Sequence, residues 1–326
     1  MVKAHAIRIE QQGGADVLQL QEVEIGSPGP REVLIRQTAC GLNFLDVYHR
    51  SGAYPLPMPS GIGSEAAGVV EAVGSEVASL RVGDRVAYQG GAPGAYADHR
   101  VMSPDRLVKV PDGASNEQAA AVLLKGMTVE YLLNRCVSLQ PNDFALMYAA
   151  AGGVGLLAGQ WAKHLGVRLI GVAAGHEKCE RALANGYFAV IDRTREDVLS
   201  RVKEITGGKG VPVVFDSIGR ATFETSIDSL APRGVFVSFG ATSGPPPPVE
   251  ASLLQKKGSL YFTRPTLVHY ASSPEDYAAS AAAVFDLVAK GVLRPSIGQR
   301  YPLSEAAQAH RDLEEGRTSG STILIP

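Results

Sequence analysis

The segment Phe144-Ala145-Leu146-Met147-Tyr148-Ala149-Ala150-Ala151-Gly152-Gly153-Val154-Gly155 carries the most specific chemical signal in this 326-residue chain. Within it, Ala150-x-Gly152-x-x-Gly155 links a strand-like apolar run to a helix-like one, the dinucleotide-binding fingerprint with Ala in its first position. Gly152 lets the main chain approach a pyrophosphate, and Gly155 lets helix and strand pack closely. The open N–H groups of the helix N-terminus then face negative charge. Any tight strand-to-helix turn favours glycine, so the motif takes its force from the alternation of strands and helices around it.

The residues that follow choose between nicotinamide cofactors. A site for NAD usually carries Asp or Glu at the end of the second strand, accepting from the ribose hydroxyls. Here the run Val167–Val172 ends in Ala173-Ala174-Gly175, with no carboxylate. Lys178 lies just beyond, where its ammonium would meet a 2′-phosphate, and Arg193 follows the third strand. Glu177 pulls the other way. A missing acid beside a present cation points to NADPH.

Metal and disulfide chemistry have little to work with. The seven histidines are scattered, with no H-x-x-x-H or H-E-x-x-H. The three cysteines, Cys40, Cys136 and Cys179, are an odd number, widely spaced and without C-x-x-C. That excludes a disulfide framework and suits a reducing compartment.

These groups need elements to position them. To about residue 125 the chain reads as β-rich. Runs such as Glu32–Arg36 and Ala67–Val73 are separated by Ser27-Pro28-Gly29-Pro30 and Val82-Gly83-Asp84, which predicts a barrel or sandwich. After Pro111-Asp112-Gly113, Ser115-Asn116-Glu117-Gln118 offers a helix cap ahead of an apolar run. From Phe144 onward, strands at Phe144–Tyr148, Val167–Val172, Phe188–Ile191, Val211–Phe215 and Val235–Phe239 alternate with helices. Those helices are Leu156–Leu165, Glu177–Ala184, Glu196–Ile205 and Ala221–Leu230, several closing on glycine at Gly166, Gly186 and Gly207. Such alternation predicts right-handed βαβ units and a parallel sheet. Gly244-Pro245-Pro246-Pro247-Pro248 reads as a stiff exposed connection. The helical stretch Pro274–Lys290 and the apolar run Ser321–Ile325 leave the alternation, which returns the chain to the first domain.

Composition bounds the rest. Hydrophobic residues make up 45% and charged residues 20%, enough for a sizeable core. Lys and Arg number 31 against 33 Asp and Glu, a net charge of −2. No basic field exists for a nucleic-acid backbone or an anionic membrane, so recognition falls to a local pocket. The charged N-terminal stretch is unlike a signal peptide, and no apolar run is long enough to span a bilayer. The expectation is a cytoplasmic protein.

Taken together, the motifs resemble the zinc-free quinone oxidoreductases of the medium-chain dehydrogenase/reductase superfamily, the group that includes ζ-crystallin. The likeness runs over essentially the whole chain. It rests on Gly41-Leu42-Asn43-Phe44-Leu45-Asp46-Val47-Tyr48, Arg50-Ser51-Gly52-x-Tyr54-Pro55 and Pro59-Ser60-Gly61-Ile62-Gly63-Ser64-Glu65-Ala66-Ala67-Gly68. It continues through Leu124-Lys125-Gly126-Met127-Thr128, the glycine turn, Phe215-Asp216-Ser217-Ile218-Gly219, Val237-Ser238-Phe239-Gly240 and Gly258–Pro265. The resemblance implies an α/β fold in which a Rossmann doubly wound parallel sheet is inserted into a GroES-like β-rich catalytic domain. In numbers, residues 1–125 form the N-terminal part of the catalytic domain, 126–265 the Rossmann domain, and 266–326 a segment returning to the catalytic domain.

It also implies the site. Asn43, Tyr48, Tyr54 and Arg264 would stand near nicotinamide and substrate. Asn43, Thr128, Tyr131, Gly152, Gly153, Val154, Gly175, Lys178, Arg193, Ser217, Phe239, Gly240, Arg264 and Gly320 would hold the cofactor, with Ser321 beside them. Asp46 reads as a loop-orienting carboxylate. Arg193 departs from the bacterial relatives, which place Tyr there; an Arg can stack on adenine and pair with the phosphate.

Zinc-dependent relatives carry Cys where this chain has Asn43, and His where it has Ser64. Two of three required ligands are therefore missing, and no four-cysteine lobe lies between Tyr88 and Pro104. Without such a Lewis acid, an acceptor that already takes hydride readily is expected. The resemblance then implies an NADPH-dependent reductase passing reducing equivalents to a quinone in the interdomain cleft, with amide and phenol donors steadying the quinol oxyanion. An alkenal or enone reductase on the same scaffold is the nearest alternative. A non-catalytic, NADPH-binding ζ-crystallin-like RNA-binding or structural protein is the alternative of another class. A homodimer is implied by the family alone.

Overall fold

The alternation that begins at Phe144 closes into one six-stranded parallel sheet. In the computed structural model, which describes residues 2–326, its strands are Phe144–Tyr148, Arg168–Ala173, Ala189–Asp192, Val211–Asp216, Leu230–Ser238 and Tyr261–Thr263. Numbered one to six in chain order, they lie side by side as 3-2-1-4-5-6. The order reverses between Phe144–Tyr148 and Val211–Asp216, and crevices for ligands form beyond the carboxyl ends of strands at such a point. Every neighbouring pair is parallel. Leu146, Ile170, Val214 and Phe236 fill the core of this unit.

Contacts divide the chain in two. One unit comprises the chain up to Met127 together with Ala271–Pro326, and the other is Thr128–Tyr270. The seams lie at 127 and 270 rather than at 125 and 265. The helix Asn116–Asn134 runs through the first seam without a break, and the short helix Leu267–Tyr270 stays with the second unit. Ser115 opens the long helix with a reciprocal cap. The Gln118 N–H donates to Ser115 Oγ at 3.1 Å, and the Ser115 N–H to Gln118 Oε1 at 2.9 Å.

The first unit is β-rich. A seven-stranded sheet has Val33–Leu42 and Glu65–Val73 at its centre, and Val2–Ile9 anchors a three-stranded sheet. The C-terminal strand Ser321–Ile325 pairs antiparallel with Val33–Leu42. Ile7, Ile35, Ile62, Val86, Tyr88, Tyr96 and Leu324 form its core.

Several boundaries differ from the sequence reading, each for a local reason. The sixth parallel strand, Tyr261–Thr263, has three residues, too few for a periodic pattern. The fifth starts at Leu230, not Val235, because it runs on through a register shift, with Arg233 at positive φ. The helix expected from Glu196 starts at Val198, since Asp197 accepts the Ser200 N–H and caps it. The helix expected over Ala221–Leu230 shrinks to Phe223–Asp228. Gly244–Pro248 lies outside any helix or strand.

Candidate active site

The second unit assembles its predicted cofactor residues strand by strand. Gly152, Gly153 and Val154 follow the first strand, Gly175 and Lys178 the second, and Arg193 the third. Ser217 follows the fourth, Phe239 and Gly240 the fifth, and Arg264 the sixth. All leave the carboxyl edge of one parallel sheet, so six separate loops converge on one rim. Thr128 and Tyr131 instead lie on the helix Asn116–Asn134, where Tyr131 is buried and stacks on Tyr270 at 4.6 Å between ring centres.

The glycine turn is built as its chemistry requires. Gly152 takes extended backbone as N-cap of the helix Gly153–His164, whose first turn contains no acidic side chain. The Leu156 N–H is the first to bond back, to the Gly152 carbonyl at 2.9 Å. The N–H groups before it have no intrahelical acceptor and sit at the positive end of the helix dipole. A Cβ on Gly155 would stand 2.3 Å from the Ala149 carbonyl oxygen and 2.6 Å from that of Ala150. On Gly152 it would meet only Ala149 O, at 3.2 Å. Gly155 is thus needed by the fold itself, whereas Gly152 leaves room on its outer side.

Two further features fit a dinucleotide. Ser238 Oγ is buried at the end of the fifth strand without a hydrogen-bond partner among the described residues. Beside it, Arg264 Nη1 donates to the Ser238 carbonyl at 2.8 Å. The Ser217 and Gly240 loops touch so closely that a Cβ on Gly240 would lie 2.6 Å from Ser217 O. The residues present fit NADPH: open N–H groups for a diphosphate, Lys178 and Arg193 for a further phosphate, and polar atoms at the opposite end of the rim.

In the first unit, Asn43 begins the helix Phe44–Ser51. Its Nδ2 donates to Glu65 Oε2 at 3.0 Å and to the Gly41 carbonyl at 3.3 Å. Both amide protons face acceptors that can only accept, which fixes the amide's orientation. Glu65, fully buried, also accepts the Leu124 N–H at 2.6 Å and lies 3.4 Å from Lys125 Nζ. Of the donors expected at the acceptor, the amide is therefore committed inside the fold. Tyr48 and Tyr54 carry the phenols; their rings lie 5.2 Å apart, and Tyr54 is 41% exposed. Gly320, at positive φ, precedes Ser321, whose Oγ donates to the Ala121 carbonyl.

Asp46 is a structural carboxylate, as the sequence reading has it. Fully buried, it accepts from the Asn43 N–H at 2.9 Å, Ser64 Oγ at 2.7 Å and the Tyr96 hydroxyl at 2.9 Å. Behind Tyr96 lies His310, its Nε2 at 3.2 Å from the phenol and its Nδ1 at 3.3 Å from Arg50 Nη1. Arginine can only donate, so Nδ1 must accept and Nε2 carries the proton. Every proton in the chain from Arg50 to Asp46 then has one consistent direction.

Burial pushes the Asp46 carboxyl up to about 6. Burial, with the Arg50 charge second, pushes the His310 ring down to about 3. The folded chain therefore binds the Asp46 proton more tightly than the unfolded chain does. That contribution is present below about pH 4 and lost as pH rises through about 6. Relative to Asp46→Asn, which keeps His310, the natural protein should lose on the order of 3 kcal/mol of unfolding free energy between about pH 4 and about pH 7. Urea titrations at stepped pH check this; a gap that does not change with pH contradicts it.

A zinc ion does not fit these residues. At the two positions where zinc-dependent relatives place ligands, the Asn43 amide donates to Glu65 and the Ser64 hydroxyl to Asp46. Among the described residues, no three His, Cys, Asp or Glu side chains gather as a metal-binding group.

Sequence reasoning did not single out Glu65, Ser238, Asp192 or His310. Glu65 stands inside the motif Pro59–Gly68 and Ser238 inside Val237–Gly240. Asp192 adjoins Arg193. His310 carries no local signal, because its partners are 214 and 260 residues away.

Residues 29–112 match the model of the alcohol dehydrogenase GroES-like domain, and 153–286 that of the zinc-binding dehydrogenase. The chain is 52% identical to a quinone oxidoreductase of Pseudomonas aeruginosa, over 99% of this chain and 100% of that one. It is 42% identical to a 2-haloacrylate reductase of a Burkholderia species, over 98% of each. A solved structure of Escherichia coli quinone oxidoreductase complexed with NADPH superposes with a TM-score of 0.96 at 46% identity, covering 99% of this chain and 100% of that one.

Proposed function

Because the chain belongs to the quinone oxidoreductase family, built on an alcohol dehydrogenase GroES-like domain and a zinc-binding dehydrogenase domain, we propose that it is an NADPH-dependent quinone reductase. What supports the reading most is the single rim onto which six strands deliver the glycine turn, Lys178, Arg193, Ser217, Gly240 and Arg264. NADPH, when bound, supplies the hydride equivalent; the chain positions and polarises.

The division of labour follows from the residues. The open N–H groups at Gly153 and Val154 bind the diphosphate, and Gly152, whose own N–H donates to the Ala149 carbonyl at 2.9 Å, lets it approach them. Gly175 gives the adenosine end its turn, with Lys178 and Arg193 as the cations for a 2′-phosphate. Ser217, Phe239, Gly240 and Arg264 bound the nicotinamide end, with Thr128, Tyr131 and Gly320 completing the cofactor contacts. Tyr48 and Tyr54 donate to the acceptor oxygen as negative charge develops there. Asn43, held by Glu65, keeps the helix that carries Tyr48 in place. A quinone needs no metal to accept hydride, which agrees with a chain whose Asn43 amide and Ser64 hydroxyl donate to Glu65 and Asp46 instead of offering the thiolate and imidazole of a zinc site.

The relationship to a 2-haloacrylate reductase favours a second acceptor class, electron-poor alkenes. Purified protein should oxidise NADPH in the presence of simple quinones, at a rate unchanged by a strong chelator. Turnover of activated alkenes alone would move the assignment to the second class, and a chelator-sensitive rate would contradict the metal-free mechanism.

No helix among the described residues is long and apolar enough to cross a membrane. Three unpaired cysteines suit the reducing cytoplasm, the compartment this reading assigns. The reading also includes a homodimer: Tyr261–Thr263 is an edge strand, and Tyr261 is 63% exposed upon it.

A further inference from the structure

Asp192 ends the third strand of the parallel sheet, and its carboxylate ties together two loops that carry opposite halves of the predicted phosphate site. Its Oδ1 accepts from the Gly175 N–H at 2.9 Å, the Thr194 N–H at 3.0 Å and Thr194 Oγ1 at 2.7 Å. The backbone reinforces the join, since the Arg193 N–H donates to the Ala173 carbonyl at 3.0 Å. The Asp192 N–H in turn donates to Glu196 Oε1 at 2.9 Å. Asp192 is only 8% exposed. Hydrogen bonds from Thr194, its hydroxyl foremost, hold the carboxyl below the usual carboxylate range.

Gly175 explains why a tie is needed. It is the N-cap of the helix His176–Ala184, stands at φ +86°, and has no side chain with which to cap. A Cβ there would meet nothing within 4 Å, and the N–H of Gly175 is held by the Asp192 carboxylate. Lys178 sits in the first turn of that helix, and Arg193 follows Asp192 directly. One carboxylate thus sets the spacing between the loop that bears one cation and the loop that bears the other.

We propose that Asp192 is a positioning residue for cofactor discrimination, holding the Gly175 and Arg193 turns together so that Lys178 and Arg193 serve one 2′-phosphate. This rests on the NADPH reading above. The position also explains why the acid is compatible with that reading: its hydrogen-bonding capacity on Oδ1 is spent on the protein's own donors.

The test is the KM for NADPH and for NADH, with kcat, in the intact enzyme and in two variants. Asp192→Ala removes the acceptor; its KM for NADPH should rise about tenfold, with NADH and kcat changed less than about twofold. Asp192→Asn keeps a carbonyl oxygen for the same three donors, and should stay within about twofold of the natural protein for both cofactors. In a Lys178→Ala, Arg193→Ala background, Asp192→Ala should have no further effect on NADPH, because what it positions is gone. Equal losses with NADPH and NADH, or an additive effect in that background, would overturn the proposal by showing a general structural role. Should Asp192→Ala fail to fold, Asp192→Asn still decides: a selective loss for NADPH in that variant would show that charge, not the tie, matters. Indifference of the natural enzyme to the 2′-phosphate would instead overturn the NADPH reading, and the proposal with it.

Discussion

Lys178→Ala will raise the KM for NADPH by about 10- to 100-fold and leave that for NADH within about twofold, since a hydrogen bond to a charged group is worth roughly 1.5–3 kcal/mol. The second strand ends in Ala173 with no acid at the ribose position, and the helix that follows brings Lys178 in its first turn. An ammonium there has one specific partner in NADPH that NADH lacks. Lys178→Arg keeps the charge and should recover most of the discrimination, because a phosphate accepts from either cation. Steady-state kinetics with both cofactors check this; equal effects on both would remove Lys178 from the phosphate site.

Gly152→Ala will fold normally and lose NADPH affinity by about 100-fold, whereas Gly155→Ala will lose both. The contrast comes from where each added Cβ would lie. At Gly155 it meets two backbone carbonyl oxygens at 2.3 and 2.6 Å, neither of which can move without opening the strand-to-helix turn. Alanine ordinarily stabilises a helix by about 1 kcal/mol over glycine, so a destabilised Gly155→Ala isolates the close approach as the cause. At Gly152 the backbone is extended, and the nearest neighbour stands at 3.2 Å. The unliganded fold should shift by no more than about 1 kcal/mol there. The added methyl instead occupies the side on which the diphosphate must approach. Thermal unfolding and NADPH titration on the two variants separate the roles. Unchanged affinity in Gly152→Ala would make that glycine merely structural.

Much of this arrangement is legible in the sequence because it is local. The strand Phe144–Tyr148 coincides with its apolar run, since five apolar residues flanked by Asp143 and a glycine turn leave no other reading. Lys178 and Arg193 are visible because a strand end and a helix start bracket them. The resemblance extends that reading to Tyr48, Tyr54 and Arg264, which carry no local pattern of their own. What the sequence conceals is long-range. Asp192 looks like an ordinary turn acid until its carboxylate is seen on the Gly175 N–H. The tautomer of His310 depends on Arg50, from another part of the chain. Asn43 looks like a donor for substrate, and only the approach of Glu65, from a strand whose pairing brings it alongside Gly41, shows where its amide protons go.

Isothermal titration of the purified chain with NADPH and NADH tests the central claim most directly. The account predicts one NADPH bound per chain, with NADH at least tenfold weaker, a gap of about 1.4 kcal/mol. Heat from neither dinucleotide, at concentrations where a relative of known activity saturates, would contradict it.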